Sequence, residues 1–204
     1  DMRYPGFKSF EGMVLYSSPN VGPKVAPGKY NIKMTYNDQI QQKEFEIVKD
    51  PRVKISQADY EDQLEFLINV RDEVSRANQK IIDIRNIKNN MSFISEKTRD
   101  NTELQEMINN YLTDISEIEN NIHMTKNQSR QDPLNYGIRI NNRIAFLLAD
   151  SQRGDYPPTD QSKEFFIQVK GELDSEIMKL DALINMHSQK IENYLEKNMV
   201  NLDN

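Results

Sequence analysis

The chain contains no cysteine, which excludes structural disulfides and thiolate metal sites. It leaves the compartment open, because exported proteins also do without cysteine. Apolar runs are short: a stretch such as 144–149 falls far below the roughly 20 residues that cross a bilayer, so the chain is not expected to be transmembrane. An excess of basic residues is also missing. Lys+Arg 26 against Asp+Glu 32 leaves a net charge of -6, and no Lys/Arg stripe interleaved with aromatics reverses that locally, so nucleic acid is not an expected partner. Gly137, near the start of the third expected helix, does not resemble a phosphate-cradling loop, because the Gly-rich spacing is absent. The opening Asp1-Met2-Arg3-Tyr4-Pro5-Gly6 lacks the apolar centre of a signal segment, and a start at Asp suggests a processed or excised piece.

What is present is a polar chain of 204 residues, 37% hydrophobic and 28% charged, long enough for one large or two small domains with a real core. Asparagine recurs throughout, which lowers helix propensity and puts more weight on packing. Two periodicities divide the chain at Asp50-Pro51-Arg52-Val53. Before it, residues 29–36 alternate, with Tyr30, Ile32, Met34 and Tyr36 on one side and Lys29, Asn31, Lys33 and Thr35 on the other, as in a half-buried strand. Asn37-Asp38 fits a tight hairpin turn, and Phe45 and Ile47 fall on the inner side of the returning strand. Residues 13–16 read as a third strand. Three strands make a poor independent layer, so something must cover them.

After the boundary the apolar rhythm becomes helical. Ser56 with Asp59 forms a capping box before a helix over about 57–94, whose stripe includes Leu67, Val74 and Ile81. A second helix is expected over 102–126 with Gln105 completing its box, a third over 133–150 behind Asp132-Pro133, and a fourth over 160–197 with Thr159 or Asp160 as cap. The expected fold class is α+β: a short, incomplete fibronectin- or immunoglobulin-like β segment over 1–53, then an antiparallel four-helix bundle over 54–204 with long first and last helices. Short linkers predict an up-down-up-down order, with the start of the first helix and the end of the last projecting toward the strands.

Chemistry-bearing residues are few. Glu61 and Glu65 share a helix face, but solvent-facing acids are ordinary on an acidic bundle, and glycoside hydrolysis needs a pair across a sugar site. His123 and His187 are the only histidines; the second sits in an apolar stripe, and a metal would need further ligands. Ser92 and Ser175 have no His/Asp partner at a persuasive spacing. No catalytic, cofactor-binding or metal-binding residue is assigned, and no cofactor is expected. Asp50 and Arg52 are candidates for an interdomain clamp, Arg52 also for a ligand contact. Tyr156 in the turn Gly154-Asp155-Tyr156-Pro157-Pro158 is a candidate partner anchor or a packed turn ring.

Several short motifs then converge: Arg3-Tyr4-Pro5-Gly6, Gly22-Pro23, Pro27-Gly28-Lys29-Tyr30, Asp50-Pro51-Arg52, the run Pro133-Leu134-Asn135-Tyr136-Gly137-Ile138-Arg139-Ile140-Asn141-Asn142, and Gly154-Asp155-Tyr156-Pro157-Pro158-Thr159. Together they resemble the C-terminal region of bacterial BNR-repeat or sortilin-like glycosyl hydrolases, in which a signal peptide and a large β-propeller precede a β region and a helical module. The resemblance spans nearly all of this chain and none of a propeller, and it departs at Gly137, where relatives carry proline. It implies a piece of a larger periplasmic, cell-surface or secreted protein, with the upstream propeller or an assembly partner as its counterpart, and with Tyr4 among the contacts. A glycan would be bound only through the parent. The expected function is a non-catalytic accessory or docking module; the alternative is a contributor of loops 19–27 and 152–159 to a glycan-active cleft.

Overall fold

The computed structural model describes residues 2–198; Asp1 and 199–204, assigned above to the first and last segments, lie outside them. The architecture is α+β, a two-stranded antiparallel sheet followed by a helical bundle in which long first and last helices pack on shorter ones. The strands are β1 (Gly28–Tyr36) and β2 (Gln39–Ile47), paired from Gly28↔Ile47 at the root to Tyr36↔Gln39 at the tip. Asn37 and Asp38 both take positive φ, 45° and 62°, the backbone that lets a two-residue turn match the twist of its strands.

Residues 13–16 form no strand, which corrects the expectation. A four-residue apolar run is ambiguous by itself, and here its backbone groups find side chains in place of a ladder. The Tyr16 N–H donates to Asn142 Oδ1 at 2.7 Å, and Asn142 Nδ2 donates back to the Tyr16 carbonyl at 3.0 Å. Phe7 is buried in the helical core, Met13 and Leu15 pack against it, the Lys8 carbonyl accepts from Asn78 at 2.6 Å, and Arg85 holds the Glu11 carbonyl at 2.8 Å. The stretch 7–16 is thus a strap laced over the bundle.

The helices are α1 (Gln57–Lys97), α2 (Thr102–Ile122), a single turn α3 (Pro133–Tyr136), α4 (Ile140–Asp150) and α5 (Asp160–Lys197). Local chemistry sets most of their ends. Ser56 and Asp59 make the reciprocal capping box of α1, Asn101 accepts from Leu104 N–H ahead of α2, and Thr159 accepts from Ser162 N–H ahead of α5. Gln105 does not close the box expected for α2; its amide donates to the carbonyls of Ser95 and Thr98 and ties the α1–α2 turn shut. The helix expected over 133–150 is broken: Gly137 takes φ 77° and Arg139 is extended. Asp132 does not cap it, because its carboxylate turns back to the N–H groups of Gln128 and Ser129 at 2.7 and 2.8 Å.

Helix directions also differ from the up-down-up-down expectation. Contacts between α1 and α5 climb together, through Asp62 with Lys163, Glu73 with Lys170, Arg76 with Asp174 and Lys80 with Asp181, so these two helices run parallel. Contacts of α1 with the shorter helices descend: Gln63 reaches the Ser151 carbonyl, Asn78 meets Asn141, Arg85 meets Glu119 and Ser95 meets Gln105. Consequently α2 and α4 lie in line, both antiparallel to the long pair. At 1.5 Å per residue they measure about 30 Å and 17 Å against about 60 Å for α1, so together with their connection they match its length. The joint is held where Asn141 Nδ2 lies 3.2 Å from His123 Nδ1. No paired-helix stalk reaches the hairpin, because the end of α5 sits at the opposite pole, with Tyr194 Oη donating to Asn101 at 2.9 Å.

Candidate docking site

No helix backbone runs alongside the hairpin strands; only at the root does Ile47 share a cavity with Tyr60 and Leu64 of α1. The hairpin's pairing places Tyr30 with Phe45, Ile32 with Lys43, Met34 with Gln41 and Tyr36 with Gln39 on one face, so every apolar residue of β1 looks the same way. At the root this face is partly covered: Tyr30 donates to the Ala26 carbonyl at 2.7 Å and its ring lies 6.0 Å from that of Phe45. Toward the tip it is open, Ile32 being 60% exposed, Met34 59% and Tyr36 71%. Covering such side chains is worth roughly 1–2 kcal/mol each for the exposed fraction, and an isolated two-stranded ribbon is only marginally stable. The other face is mostly polar, carrying Lys29, Asn31, Lys33, Glu44 and Glu46 with an exposed Ile40 opposite Thr35 near the tip, and Lys29 and Glu44 are paired at 3.5 Å.

The root is rigidly seated. Arg3 and Lys24 form a short antiparallel bridge, Tyr4 N–H donates to the Pro23 carbonyl at 2.8 Å, and a Cβ on Gly22 would lie 1.8 Å from the Tyr4 carbonyl oxygen. Only glycine permits that crossing. The Arg3 guanidinium then joins the Gly22 carbonyl at 2.8 Å to Gln152 at 2.9 Å, while Gln57 donates to the Pro27 carbonyl at 2.9 Å. Loops 19–27 and 152–159 therefore meet at the start of α1. Around them is a cavity of about 160 Å³, lined among others by Pro27, Ile47, Asp50, Tyr60, Leu64 and Asp155. Tyr60 donates to Asp155 at 3.3 Å, and burial, followed by the neighbouring Asp155 charge, pushes its hydroxyl above the usual tyrosine range.

The residues singled out from the sequence gather around this root without forming one constellation. Arg52 forks onto Asp50, with Nε–Oδ1 2.9 Å and Nη2–Oδ2 2.6 Å, and its own N–H donates to the same carboxylate. The pair closes a local turn and bridges no two elements; the Arg52 side chain is 88% exposed. The hydrogen bonds from Arg52 hold the Asp50 carboxyl below its ordinary range. The Tyr156 ring lies against Gly154, where a Cβ would come within 2.6 Å of it, and the ring stays 41% exposed. Tyr4 is 36% exposed at the bridge.

Sequence reasoning missed the buried polar joint beneath the strap. His123 is 2% exposed, its ring edge-on to Phe10 at 4.9 Å, and Asn141 spans it and Asn78. Burial, then the Arg85 charge, lowers its pKa to about 4. Glu119 is buried beside it. Burial alone would raise that carboxyl, but Lys88 at 2.5 Å and Arg85 at 3.0 Å overcome the effect and hold it low. His187 has separate neighbours, Asp114 at 3.1 Å and the stacked Tyr111 ring at 4.7 Å. Among the described residues no three His, Cys, Asp or Glu side chains gather as metal ligands, and no helix is long and apolar enough to cross a membrane. No protein-family model, curated protein or solved structure matches this chain; the resemblance to propeller proteins stands on its motifs alone.

Proposed function

We propose that this chain is a non-catalytic docking module that engages β-structure of a larger protein through its hairpin. The observation that carries the reading is the open apolar face of Ile32, Met34 and Tyr36 on a ribbon that no helix covers. Sheets bury such a face against a second layer about 10 Å away, and free strand edges are usually paired or covered. The partner in this reading is the one that the motif resemblance implies, a β-propeller of the same exported parent protein, with the module at the periplasm, the cell surface or outside the cell.

Hydrogen exchange tests this reading on native protein captured from its source with an antibody to the bundle. Amides of residues 28–47 are expected to be protected there and to exchange rapidly in the 204-residue chain. Equal, rapid exchange in both samples overturns the proposal. The second reading, loops contributed to a glycan-active cleft, is favoured by the meeting of loops 19–27 and 152–159. Its cavity of about 160 Å³ is small beside the roughly 300–1,000 Å³ of typical ligand sites, so the parent would have to supply most of the cleft. Hydrolysis by the native protein that is unchanged after both loops are altered excludes it.

A further inference from the structure

A second surface lies where α2 and α5 run side by side in opposite directions, Asn121 reaching Glu176 and Asp114 reaching His187. Between them is a groove of about 580 Å³, within the roughly 300–1,000 Å³ of typical ligand sites. Its two walls differ. On α5 the lining is apolar, with Ala182 and Met186 one turn apart beside Leu183, and the buried Ile118 of α2 lies at the floor. Met186 is 42% exposed; Met178, one turn before Ala182 on the same row but outside the lining, is 73% exposed. On α2 the lining is acidic, with Asp114 and Glu117 one turn apart. Glu176 accepts from Lys179 at 2.6 Å, and these two charges cancel. Asp114 lies 3.1 Å from His187 Nε2, whereas Glu117 is exposed and has no hydrogen-bond or ion-pair partner among the described residues. With histidine counted as neutral, three carboxylates against one ammonium leave the groove a charge of about -2. A proton on His187 would still leave an acidic excess.

We infer that this groove docks an amphipathic helix of another protein, its apolar side chains against Ala182, Leu183 and Met186 and its lysine or arginine side chains along Asp114 and Glu117. Charge sets the sign of the partner, because acids without cations of their own attract a basic segment and repel an acidic one. Geometry sets its conformation. Both walls are helices whose backbone groups are bonded within the helix, so an extended segment would find no strand edge to pair with, whereas a helix satisfies its own backbone. From Glu176 to Met186 the α5 wall is about 15 Å long, room for roughly three turns, and a flexible thioether such as that of Met186 adapts to the side chains it meets. A second copy of this chain is a poor occupant: groove against groove would bring two acidic surfaces together, and the apolar rows of α1, α2, α4 and α5 are already committed to the core.

The test is fluorescence anisotropy with a labelled helical peptide that carries leucine along one face and lysine beside it, compared with the same peptide carrying glutamine for lysine and with a scrambled lysine peptide of equal composition. The lysine peptide is expected to bind the chain about threefold to tenfold more tightly than the glutamine peptide, since a surface ion pair gives up to about fivefold. Asp114→Asn/Glu117→Gln is expected to remove that preference, and Met186→Ser to weaken both peptides alike. Circular dichroism and urea midpoints check each variant; if the double variant does not fold, Glu117→Lys decides, at an exposed position without a partner, and is expected to abolish the preference by itself. Equal binding of the lysine and glutamine peptides overturns the inference, as does a preference untouched by the changes at 114 and 117. Scrambled peptide bound as tightly as the amphipathic one overturns it too, by showing attraction to an acidic chain without a groove. Loss of binding in Ile32→Ser/Met34→Ser with retention in Met186→Ser moves the peptide to the hairpin, and self-association of the chain that Met186→Ser abolishes makes the occupant a second copy; either result overturns the inference.

Discussion

The hairpin and the bundle present apolar stripes of similar length with opposite fates. Val70, Val74, Ile81 and Ile84 of α1 are fully buried against Ile115, Ile144, Leu173 and their neighbours, whereas Ile32, Met34 and Tyr36 of β1 face solvent. The difference is geometric. A helix of about 60 Å has two in-line helices and a second long helix to cover it, but a two-stranded ribbon has one side-chain layer on each face and nothing within the described chain to lay over it. Strands specify one half of a core; here the bundle completes its own and the ribbon does not.

The largest break in this comparison comes from truncating a core position. Leu173→Ala, at a fully buried site in α5, is expected to lower stability by about 2–5 kcal/mol in urea unfolding. The bundle is also expected to be the acid-sensitive half. His123 folds with its pKa lowered from 6.5 to about 4, so the unfolded chain binds its proton first. Stability is complete above pH 6.5 and falls as pH drops toward 4, by about 3 kcal/mol at roughly 1.4 kcal/mol per unit of displacement. Denaturation midpoints at stepped pH measure the slope, and His123→Asn is expected to flatten it.

A smaller effect is expected where the strap meets the bundle. Asn142→Ala leaves both the N–H and the carbonyl of Tyr16 without their partners, a loss of about 1–3 kcal/mol, and raises amide exchange at Tyr16 before that of α1. Least affected is the ribbon. Ile32→Ser, at a 60% exposed position, is expected to change bundle stability by less than about 0.5 kcal/mol, while reducing dye binding by exposed apolar surface. A ribbon variant that destabilised the bundle by as much as Leu173→Ala would show the two halves to share one core.

Residues that act on their near neighbours were readable in advance. The hairpin register follows from strict alternation and from Asn37 and Asp38, which tolerate positive φ, and the boundaries of α5 follow from Thr159 and its apolar spacing. The root of the docking site was only half readable: the Gly22 crossing lies under motifs already noted, yet that Arg52 would close on Asp50 and not reach across was invisible in a tripeptide. The joint of Asn78, His123 and Asn141 left no signal, because three polar residues scattered among many asparagines carry no periodicity.

Chain order and short-range chemistry thus settle that there is one hairpin with one apolar face, and a run of helices with long first and last members. Tertiary contacts alone decide that α2 and α4 stand in line, that α1 and α5 run parallel, and that 7–16 is a strap. Each of those outcomes depends on pairs far apart in sequence, such as Asn142 with Tyr16 and Asn141 with His123, which satisfy buried polar groups that a local pattern treats as free. Hydrophobic spacing says which face must be covered; the long-range hydrogen bonds and packing choose what covers it, and on the hairpin no described residue covers the face of Ile32, Met34 and Tyr36.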